Sequence, residues 1–338
     1  MQLAHTYQDI ISVENLLAAW KEFMRGKRKK QDVQEFQYRL MDNILLLHRE
    51  LKDKTYVHGG YRHFSISDPK PRDIHKASVR DRLLHHALYR TLYPFFDATF
   101  ITDSYSCRVG KGTHKAMNRL RTFARKVSHN HTRTCFVLKC DIRKFFASID
   151  QKILLGIVRG HIPDSRIVSL IAEVVGSFCV PYSSRSCELR NRQKGLPLGN
   201  LTSQLLVNIY MKEFDQFVKH TLKAKYYIRY ADDFVLISHN KQWLLNLVPY
   251  MELFLREKLK LTLHQDKTFI KNFASGVDFL GWVHFQDHRV LRAVTKKRML
   301  RRLLERKGSE GEETMQESYL GLLSHGNARK LKNRISML

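Results

Sequence analysis

Two adjacent acidic residues, Asp232 and Asp233, lie between two short apolar segments, residues 226–228 and 234–237. The β-branched and aromatic residues of both segments favour strands. Paired Asp residues tolerate a tight turn, and such a turn holds both carboxylates at its tip. Carboxylate oxygens, water and substrate phosphates are the ligands that Mg²⁺ prefers. The pattern therefore predicts a hairpin whose tip binds a divalent cation for phosphoryl transfer to a nucleotide.

A third acid, Asp141, follows the apolar segment 136–140, which also favours a strand. An Asp-Asp turn by itself is more often a solvated turn, and Asp141 by itself is well explained as a strand-end residue that caps a turn. If the strand brings Asp141 beside Asp232, the acids can bridge two metal ions about 3.5–4 Å apart. Such a pair of ions would deprotonate a primer 3′-hydroxyl and stabilise the leaving pyrophosphate.

Several motifs along the chain, from about Tyr61 to Trp282, resemble those of reverse transcriptases and follow the same order. The matching segments are Asp141 with Phe145 and Phe146, residues 195–204, the Tyr-Ala-Asp-Asp box at 230–233, residues 259–263 with Lys267, and residues 279–282. The resemblance implies an α+β fold. It would be a right-hand polymerase with fingers and palm, in which helices flank an antiparallel sheet, and with a short helical thumb.

The middle motif departs from the intron-type pattern of Gln-Gly, three residues and Ser-Pro. Here the corresponding residues are Leu198-Gly199 and Ser203-Gln204. This is similar to reverse transcriptases of diversity-generating retroelements, which copy a template-repeat RNA with frequent errors opposite adenine. An amide at position 198 would hydrogen-bond the nascent base pair or its supporting shell, and Leu198 cannot. The alternative is that Leu198 only packs under the loop.

The resemblance implies two bound Mg²⁺ ions, with Mn²⁺ as an alternative. Asp141 and Asp232 would be the firmest metal ligands and catalytic residues, and Asp233 would be more peripheral. The backbone carbonyl of Ile142 would complete the protein's share of the metal shell.

The residues implied on the nucleotide side are Arg72, Phe146, Leu198, Gly199, Gln204 and Lys267. Arg72 would touch the incoming triphosphate. Phe146 would lie under the sugar and exclude a 2′-hydroxyl, while Phe145 would point into the core. Lys267 is a candidate phosphate-side cation or proton donor, and an ordinary surface lysine is the alternative.

Two basic segments are candidates for nucleic-acid contact. One is a Gly-containing loop with Arg108 and Lys111, because glycines let backbone N–H groups approach phosphate, although turns use glycine equally well. The other is a basic amphipathic helix at residues 296–307, with Lys296, Lys297 and Arg301 as its candidates. This helix resembles a thumb that grips the minor groove of a primer–template duplex. A helix that packs against a partner protein is the alternative.

The composition fits a protein that binds a polyanion. Its 59 Lys and Arg residues exceed its 32 Asp and Glu residues, which gives a formal net charge of +27. Such an excess predicts salt-sensitive binding of nucleic acid. The sequence contains no apolar run of membrane-spanning length and no secretory signal. Its five cysteines have no metal-ligand spacing and leave an odd thiol, so we expect a reducing cytoplasm. The resemblance implies that the protein is bacterial, archaeal or phage-encoded.

The chain reads as one polymerase unit with three regions. Residues 1–56 form an N-terminal helical extension, residues 57–285 form the fingers and palm, and residues 286–338 form the helical thumb. Between residues 13 and 51 the apolar spacing predicts two helices joined by a basic loop. A finger-like hairpin at residues 61–74 and a helix follow, and we expect Asp81 and Arg82 to form a structural ion pair.

The partners implied by the resemblance are a template RNA, a DNA primer, deoxynucleoside triphosphates and a small basic helical accessory protein that forms a ring. An intron-type, retron-type or phage-defence reverse transcriptase is the first alternative. The intron type usually carries a maturase domain after the thumb, and we expect none because the sequence ends too soon. A non-catalytic RNA-binding scaffold is the second alternative, and the three intact acids argue against it.

Overall fold

The structure is a computed structural model that describes residues 2–67, 71–178 and 193–336. The helices are α1 (Tyr7–Ile11), α2 (Val13–Phe23), α3 (Gln31–Tyr38), α4 (Leu40–Lys52), α5 (Val79–Asp97), α6 (Thr113–Val127), α7 (Phe145–Ser148), α8 (Gln151–Arg159), α9 (Ser165–Gly176), α10 (Leu201–Gln216), α11 (Lys241–Leu259), α12 (Ala293–Glu305), α13 (Glu312–Leu323) and α14 (Arg329–Ser336). The strands are β1 (Tyr61–Ile66), β2 (Arg72–Ala77), β3 (Phe136–Asp141), β4 (Tyr227–Tyr230), β5 (Asp233–Ser238), β6 (Phe269–Asn272), β7 (Val277–Phe279), β8 (Trp282–His284) and β9 (Arg289–Leu291). All strand pairs are antiparallel, and the predicted α+β class is confirmed.

The chain folds into two compact units, each built from three separate stretches. The first unit comprises Met1–Thr102, Ile142–Phe217 and Glu252–Thr262, and the second comprises Asp103–Asp141, Val218–Met251 and Leu263–Leu338. The predicted regions 1–56, 57–285 and 286–338 divide the chain differently from these two units, and that division stays a prediction. In the part of the chain that the structure describes, no helix is long and apolar enough to cross a membrane.

The first unit is mainly helical. Helix α5 packs against α2 and α10, and α8 packs against α9 and α10. The stretch from residue 13 to residue 51 forms three helices, α2, α3 and α4, so the prediction of two helices there was wrong. The basic segment at residues 25–30 does lie between α2 and α3, but Arg39 leaves the helical backbone with φ −118° and ψ 45° and separates α3 from α4.

The predicted hairpin is present as β1 paired with β2, and its tip at residues 68–70 lies outside the described residues. The predicted Asp81–Arg82 ion pair was wrong. Arg82 pairs instead with Asp32 of α3, at 2.6 Å. The fully buried Asp81 carboxylate accepts hydrogen bonds from the Tyr56 and Ser78 hydroxyls and lies 3.3 Å from the Arg80 guanidinium. Buried carboxylates need such partners, and here Ser78 and Arg80 are close in sequence whereas Tyr56 lies 25 residues earlier.

A four-stranded antiparallel sheet with the order β4-β5-β3-β6 organises the second unit. One of its faces packs on α6 through a buried apolar cluster of Ala116, Leu120, Phe123, Val137, Ile228, Val235 and Ile237, among others. Residues 234–237 of β5 are all buried, as expected for an inner strand covered on both faces. Burial on both faces gives the ends of β3 and β5 fixed positions.

A second sheet, β7-β8-β9, packs with the C-terminal helices in the same unit. Trp282 of β8 lies in a buried cluster with Met299 and Leu303 of α12, Leu323 of α13 and Ile335 of α14. The predicted basic helix is present as α12, which ends at Glu305. Among the described cysteines, Cys107, Cys135 and Cys140 form no disulfide, whereas Cys179 and Cys187 lie outside the described residues.

The packing of Trp282 predicts an intolerance to any side chain at position 326. A Cβ on Gly326 would overlap the Trp282 ring, which is buried and cannot move aside. We expect Gly326→Ala to lower the free energy of unfolding by about 1–3 kcal/mol. Gly321→Ala is the matched control, because nothing lies near its Cβ and α13 should gain about 0.5–1 kcal/mol. Equal thermal stability of the two variants would contradict this packing.

Candidate active site

The predicted acidic hairpin is present in the second unit. Tyr230 pairs with Asp233, so Ala231 and Asp232 form a two-residue turn between β4 and β5. Ala231 has a φ of 56°, an uncommon conformation for a residue with a side chain. The fully buried Arg229 supports the turn, because its guanidinium donates to the Ala231 carbonyl at 3.1 Å and to the Ser104 hydroxyl at 3.1 Å. Asp232 is thereby held at the tip.

The neighbouring strand carries the third acid to the same end of the sheet. β3 pairs with β5 in a register that sets Asp141 directly opposite Asp233, the residue that follows Asp232. Residues directly opposite in an antiparallel pair point to the same face, with Cβ atoms about 4.5–5.5 Å apart. Three carboxylates from two remote stretches of the chain therefore meet at one sheet end.

Two lysines contact these acids. Lys267 Nζ donates to Asp141 Oδ1 at 2.9 Å, and Lys139 Nζ lies 3.4 Å from Asp233 Oδ2. Asp233 Oδ1 is buried and accepts no hydrogen bond from the residues that the structure describes. Sequence reasoning missed Lys139. The available signal was its position two residues before Asp141, because alternate residues of a strand share a face.

Burial raises the pKa of the Asp233 carboxyl to about 7. Lys139 opposes this increase, while the charges of Asp141 and Asp232 add to it. Desolvation and like charges both disfavour an ionised carboxylate. A divalent cation bound at the sheet end would counter both effects and favour the ionised form of Asp233.

The donor atoms at this sheet end fit Mg²⁺, although they do not complete a site for it. Within residues 2–67, 71–178 and 193–336, no three His, Cys, Asp or Glu side chains are grouped so as to hold a metal ion. Mg²⁺ is commonly bound by one or two carboxylates together with waters and substrate phosphates. The unpartnered Asp233 Oδ1 and the all-oxygen donor set agree with that mode. Ile142 follows Asp141 in sequence, and its carbonyl contact stays a prediction.

The glycine-containing loop lies against β4 in the second unit. Ser104 forms a β-bridge with Arg229, and the Arg108 guanidinium donates to the Ser104 carbonyl at 3.1 Å. Lys111 Nζ lies 5.1 Å from the centre of the Tyr105 ring. The Thr113 hydroxyl, at the start of α6, donates to the Tyr230 hydroxyl at 3.2 Å. The loop therefore neighbours the acidic hairpin, and the predicted phosphate contacts of Arg108 and Lys111 stay predictions.

The first unit brings together most of the residues predicted for the nucleotide side. The Leu196 N–H donates to the Phe146 carbonyl at 2.9 Å, and the His75 N–H donates to the Leu198 carbonyl at 3.1 Å. Arg72 is exposed at the start of β2, three residues before His75. Side chains of Arg72, Phe146 and Leu198 all keep some exposure, whereas Phe145 is buried as expected.

The remaining predicted residues lie on helices. Gln204 is half-buried on the first turn of α10. Lys296, Lys297 and Arg301 are exposed on α12, and Arg301 pairs with Glu305 one turn later at 3.3 Å. An exposed pair of this kind contributes little to stability, so the Arg301 guanidinium remains available to phosphate. The nucleic-acid role of all three cations stays a prediction.

A family model described as reverse transcriptase (RNA-dependent DNA polymerase) matches residues 65–284. The protein YkfC of Escherichia coli K12 is 26% identical over 290 residues, which cover 76% of the chain and 73% of YkfC. The group II intron-encoded protein LtrA of Lactococcus lactis is 24% identical, over 76% of the chain and 51% of LtrA. The chain thus spans about half the length of this second relative.

Solved telomerase structures have a similar fold. Telomerase from Candida albicans, in complex with a fragment of telomeric RNA, matches with a TM-score of 0.53 and 12% identity, over 85% of the chain and 56% of the telomerase chain. Telomerase from Candida tropicalis without its C-terminal domain matches with a TM-score of 0.50 and 13% identity, over 75% and 60% of the two chains. The predicted polymerase fold is confirmed.

The raised pKa of Asp233 predicts a pH-dependent stability of the metal-free protein. The folded protein holds this proton up to about pH 7, whereas the ordinary value is 3.8. The contribution of Asp233 to stability is therefore fully present below pH 4 and is lost as the pH rises towards 7. We expect Asp233→Asn to become more stable relative to the unsubstituted protein as the pH rises from 5 to 8, by at most about 1.4 kcal/mol per pH unit.

The measurement is denaturant unfolding in a chelator. Asp287→Asn serves as the control, because Asp287 is exposed and His288 holds the pKa of its carboxyl below the usual range. This variant should gain no stability as the pH rises. Parallel stability profiles for Asp233→Asn and the unsubstituted protein would show that Asp233 is ionised throughout.

Proposed function

The chain belongs to the reverse transcriptase family, and we propose that it is an RNA-templated DNA polymerase that extends a DNA primer. The observation that carries the proposal is the register of β3 and β5, which sets Asp141 opposite Asp233 and beside the Asp232 turn. Mg²⁺ ions bound there, with Mn²⁺ as an alternative, would activate the primer 3′-hydroxyl and stabilise the departing pyrophosphate.

The three acids have two roles in this proposal. Asp141 and Asp232 hold the two cations, and Asp233 supports them from a more buried position. Cation binding would compete with Lys267 for the Asp141 carboxylate, because Lys267 Nζ donates to its Oδ1 atom. The released ammonium group would then be free to bind phosphate or to donate a proton to the leaving group.

The first unit selects the nucleotide in this proposal. Arg72 binds the triphosphate, and Phe146 excludes a 2′-hydroxyl. Support comes from the hydrogen bonds that connect β2 and the Phe146 backbone to the loop that carries Leu198 and Gly199. The template RNA and the primer follow the basic surface of the second unit, through Arg108, Lys111 and the exposed cations of α12.

We further propose that the polymerase is of the diversity-generating type, makes error-prone cDNA from a template-repeat RNA and works with a basic accessory ring protein. Leu198 and Gln204 support this assignment. Leu198 is only half-buried, which argues against the alternative that it merely packs under its loop. A neighbouring template repeat that differs from a variable repeat mainly at adenines would support this biology.

An intron-type reverse transcriptase is the second candidate. It is favoured by the relative named as a group II intron-encoded protein, which is 24% identical. The two candidates share the polymerase chemistry and differ in fidelity and in the RNA they copy. Error rate on a defined RNA template is therefore the property that separates them.

Replacement of a metal ligand tests the polymerase proposal. We expect Asp232→Asn to reduce primer extension on an RNA template with Mg²⁺ by more than about a hundredfold, because one anionic ligand is lost. Template RNA binding should stay near that of the unsubstituted protein.

Asp266→Asn is the charge-matched control, since this exposed acid lies in the same unit and on the same chain segment as Lys267. It should extend the primer normally. If Asp232→Asn extends as fast as the control, the acids do not perform the chemistry. If the unsubstituted protein binds RNA but extends no primer, the protein is a scaffold.

Fidelity tests the assignment of the subtype. We expect Leu198→Gln to lower misincorporation opposite template adenine by about tenfold, since a restored polar anchor contributes about 1–3 kcal/mol. Leu201→Gln makes the same change three residues later, on the first turn of α10, and should leave the error spectrum unchanged. An identical error spectrum for Leu198→Gln and the unsubstituted protein would remove the role of Leu198.

A further inference from the structure

Asn200 immediately precedes α10, but its side chain does not cap that helix. Asparagine is among the best N-cap residues because its side-chain oxygen accepts from the N–H groups of the first turn. Here no such bond forms. The Asn200 Nδ2 instead donates to the His75 carbonyl of β2 at 3.0 Å, and the residue is only 2% exposed. The Asn200 side chain therefore hydrogen-bonds to β2 instead of capping α10.

His75 is bonded to both residues that flank Gly199. Its N–H donates to the Leu198 carbonyl at 3.1 Å, and its carbonyl accepts from Asn200. His63 of β1 lies opposite His75, and in an antiparallel pair such positions alternate between bonded and non-bonded. The N–H and the carbonyl of His75 both bond to the loop, so β2 lies between β1 and residues 198–200.

Gly199 allows this close approach. Its φ is +102°, a conformation that residues with a side chain rarely adopt. A Cβ at this position would lie 3.0 Å from Ile74 Cγ2, which is tighter than ordinary packing. The Gly199 backbone thus approaches the Ile74 side chain of β2 closely, and two hydrogen bonds join loop and strand.

We propose that Asn200 is a positioning residue that fixes the β1–β2 hairpin to the Leu198–Gly199 loop and thereby sets nucleotide affinity and discrimination. The inference rests on the proposed function, because it takes Arg72 and Leu198 as nucleotide contacts. Arg72 lies three residues from His75 on β2. Loss of the Asn200 bond leaves the hairpin joined to the loop by the His75 N–H alone, so Arg72 and Leu198 lose their fixed spacing.

Asn200→Ser separates this role from a purely structural one. Serine is a good N-cap, so it can cap α10 and preserve folding, but it is too short to reach the His75 carbonyl. We expect the melting temperature to stay near that of the unsubstituted protein. The KM for deoxynucleotide should rise about three- to tenfold, with kcat at saturating nucleotide within about twofold, and the misincorporation ratio should change. Asn200→Gln, whose longer side chain keeps the amide, should recover part of the loss.

Asn43→Ser is the matched control. Its Nδ2 also donates to a backbone carbonyl of the first unit, that of Phe36, at 2.9 Å. It should leave KM and the misincorporation ratio unchanged. Unchanged KM and misincorporation in Asn200→Ser, or equal changes in both serine variants, would overturn the positioning role.

Hydrogen exchange of the His75 amide provides a readout that does not need polymerase activity. We expect exchange to be about tenfold faster in Asn200→Ser than in Asn43→Ser, because one hydrogen bond instead of two then joins β2 to the loop. Equal exchange in the two variants would overturn the proposal even in an inactive protein. Absence of primer extension by the unsubstituted protein would instead reject the proposed function, so the two failures are distinguishable.

Discussion

Negative charge concentrated at one end of a buried sheet is the constraint on which the candidate site depends. The pairing of β3 with β5 sets Asp141 opposite Asp233, and the turn supported by Arg229 adds Asp232. Like charges this close oppose each other's ionisation. Lys267 and Lys139 offset part of the repulsion, and burial, together with the charges of the two neighbouring acids, raises the pKa of Asp233. The apolar cluster between the sheet and α6 gives the strands the rigidity to hold these acids together.

The two compact units divide the proposed chemistry between them. The acids and their lysines belong to the second unit, and the residues assigned to nucleotide selection belong to the first. The chain passes from one unit to the other at the peptide bond after Asp141. In the first unit, backbone hydrogen bonds join the loop of residues 198–200 to β2. The position of Leu198 therefore depends on the position of β2. Discrimination in this account therefore depends on Asn200 and Gly199 as well as on the side chains that would touch the nucleotide.

The elements around the acids were predictable because local pattern and tertiary environment agree there. Apolar β-formers on both sides of Asp232 and Asp233 specify a hairpin, and the segment before Asp141 specifies a buried strand. Interactions between remote segments were not predictable from pattern. Arg82 was assigned to its neighbour Asp81 and pairs with Asp32 instead, and Asn200 has a cap sequence but bonds to β2. In each case tertiary packing determines which residue the side chain bonds to, and the spacing of residues in the sequence does not predict it.

A crystal structure with Mn²⁺, a deoxynucleoside triphosphate and an RNA–DNA primer–template, with anomalous scattering used to locate the metal, tests the central claim most directly. The account predicts manganese peaks bound by Asp141 and Asp232, with Lys267 no longer bonded to Asp141. Metal peaks bound elsewhere, with the Lys267–Asp141 contact intact in the presence of nucleotide, would contradict it.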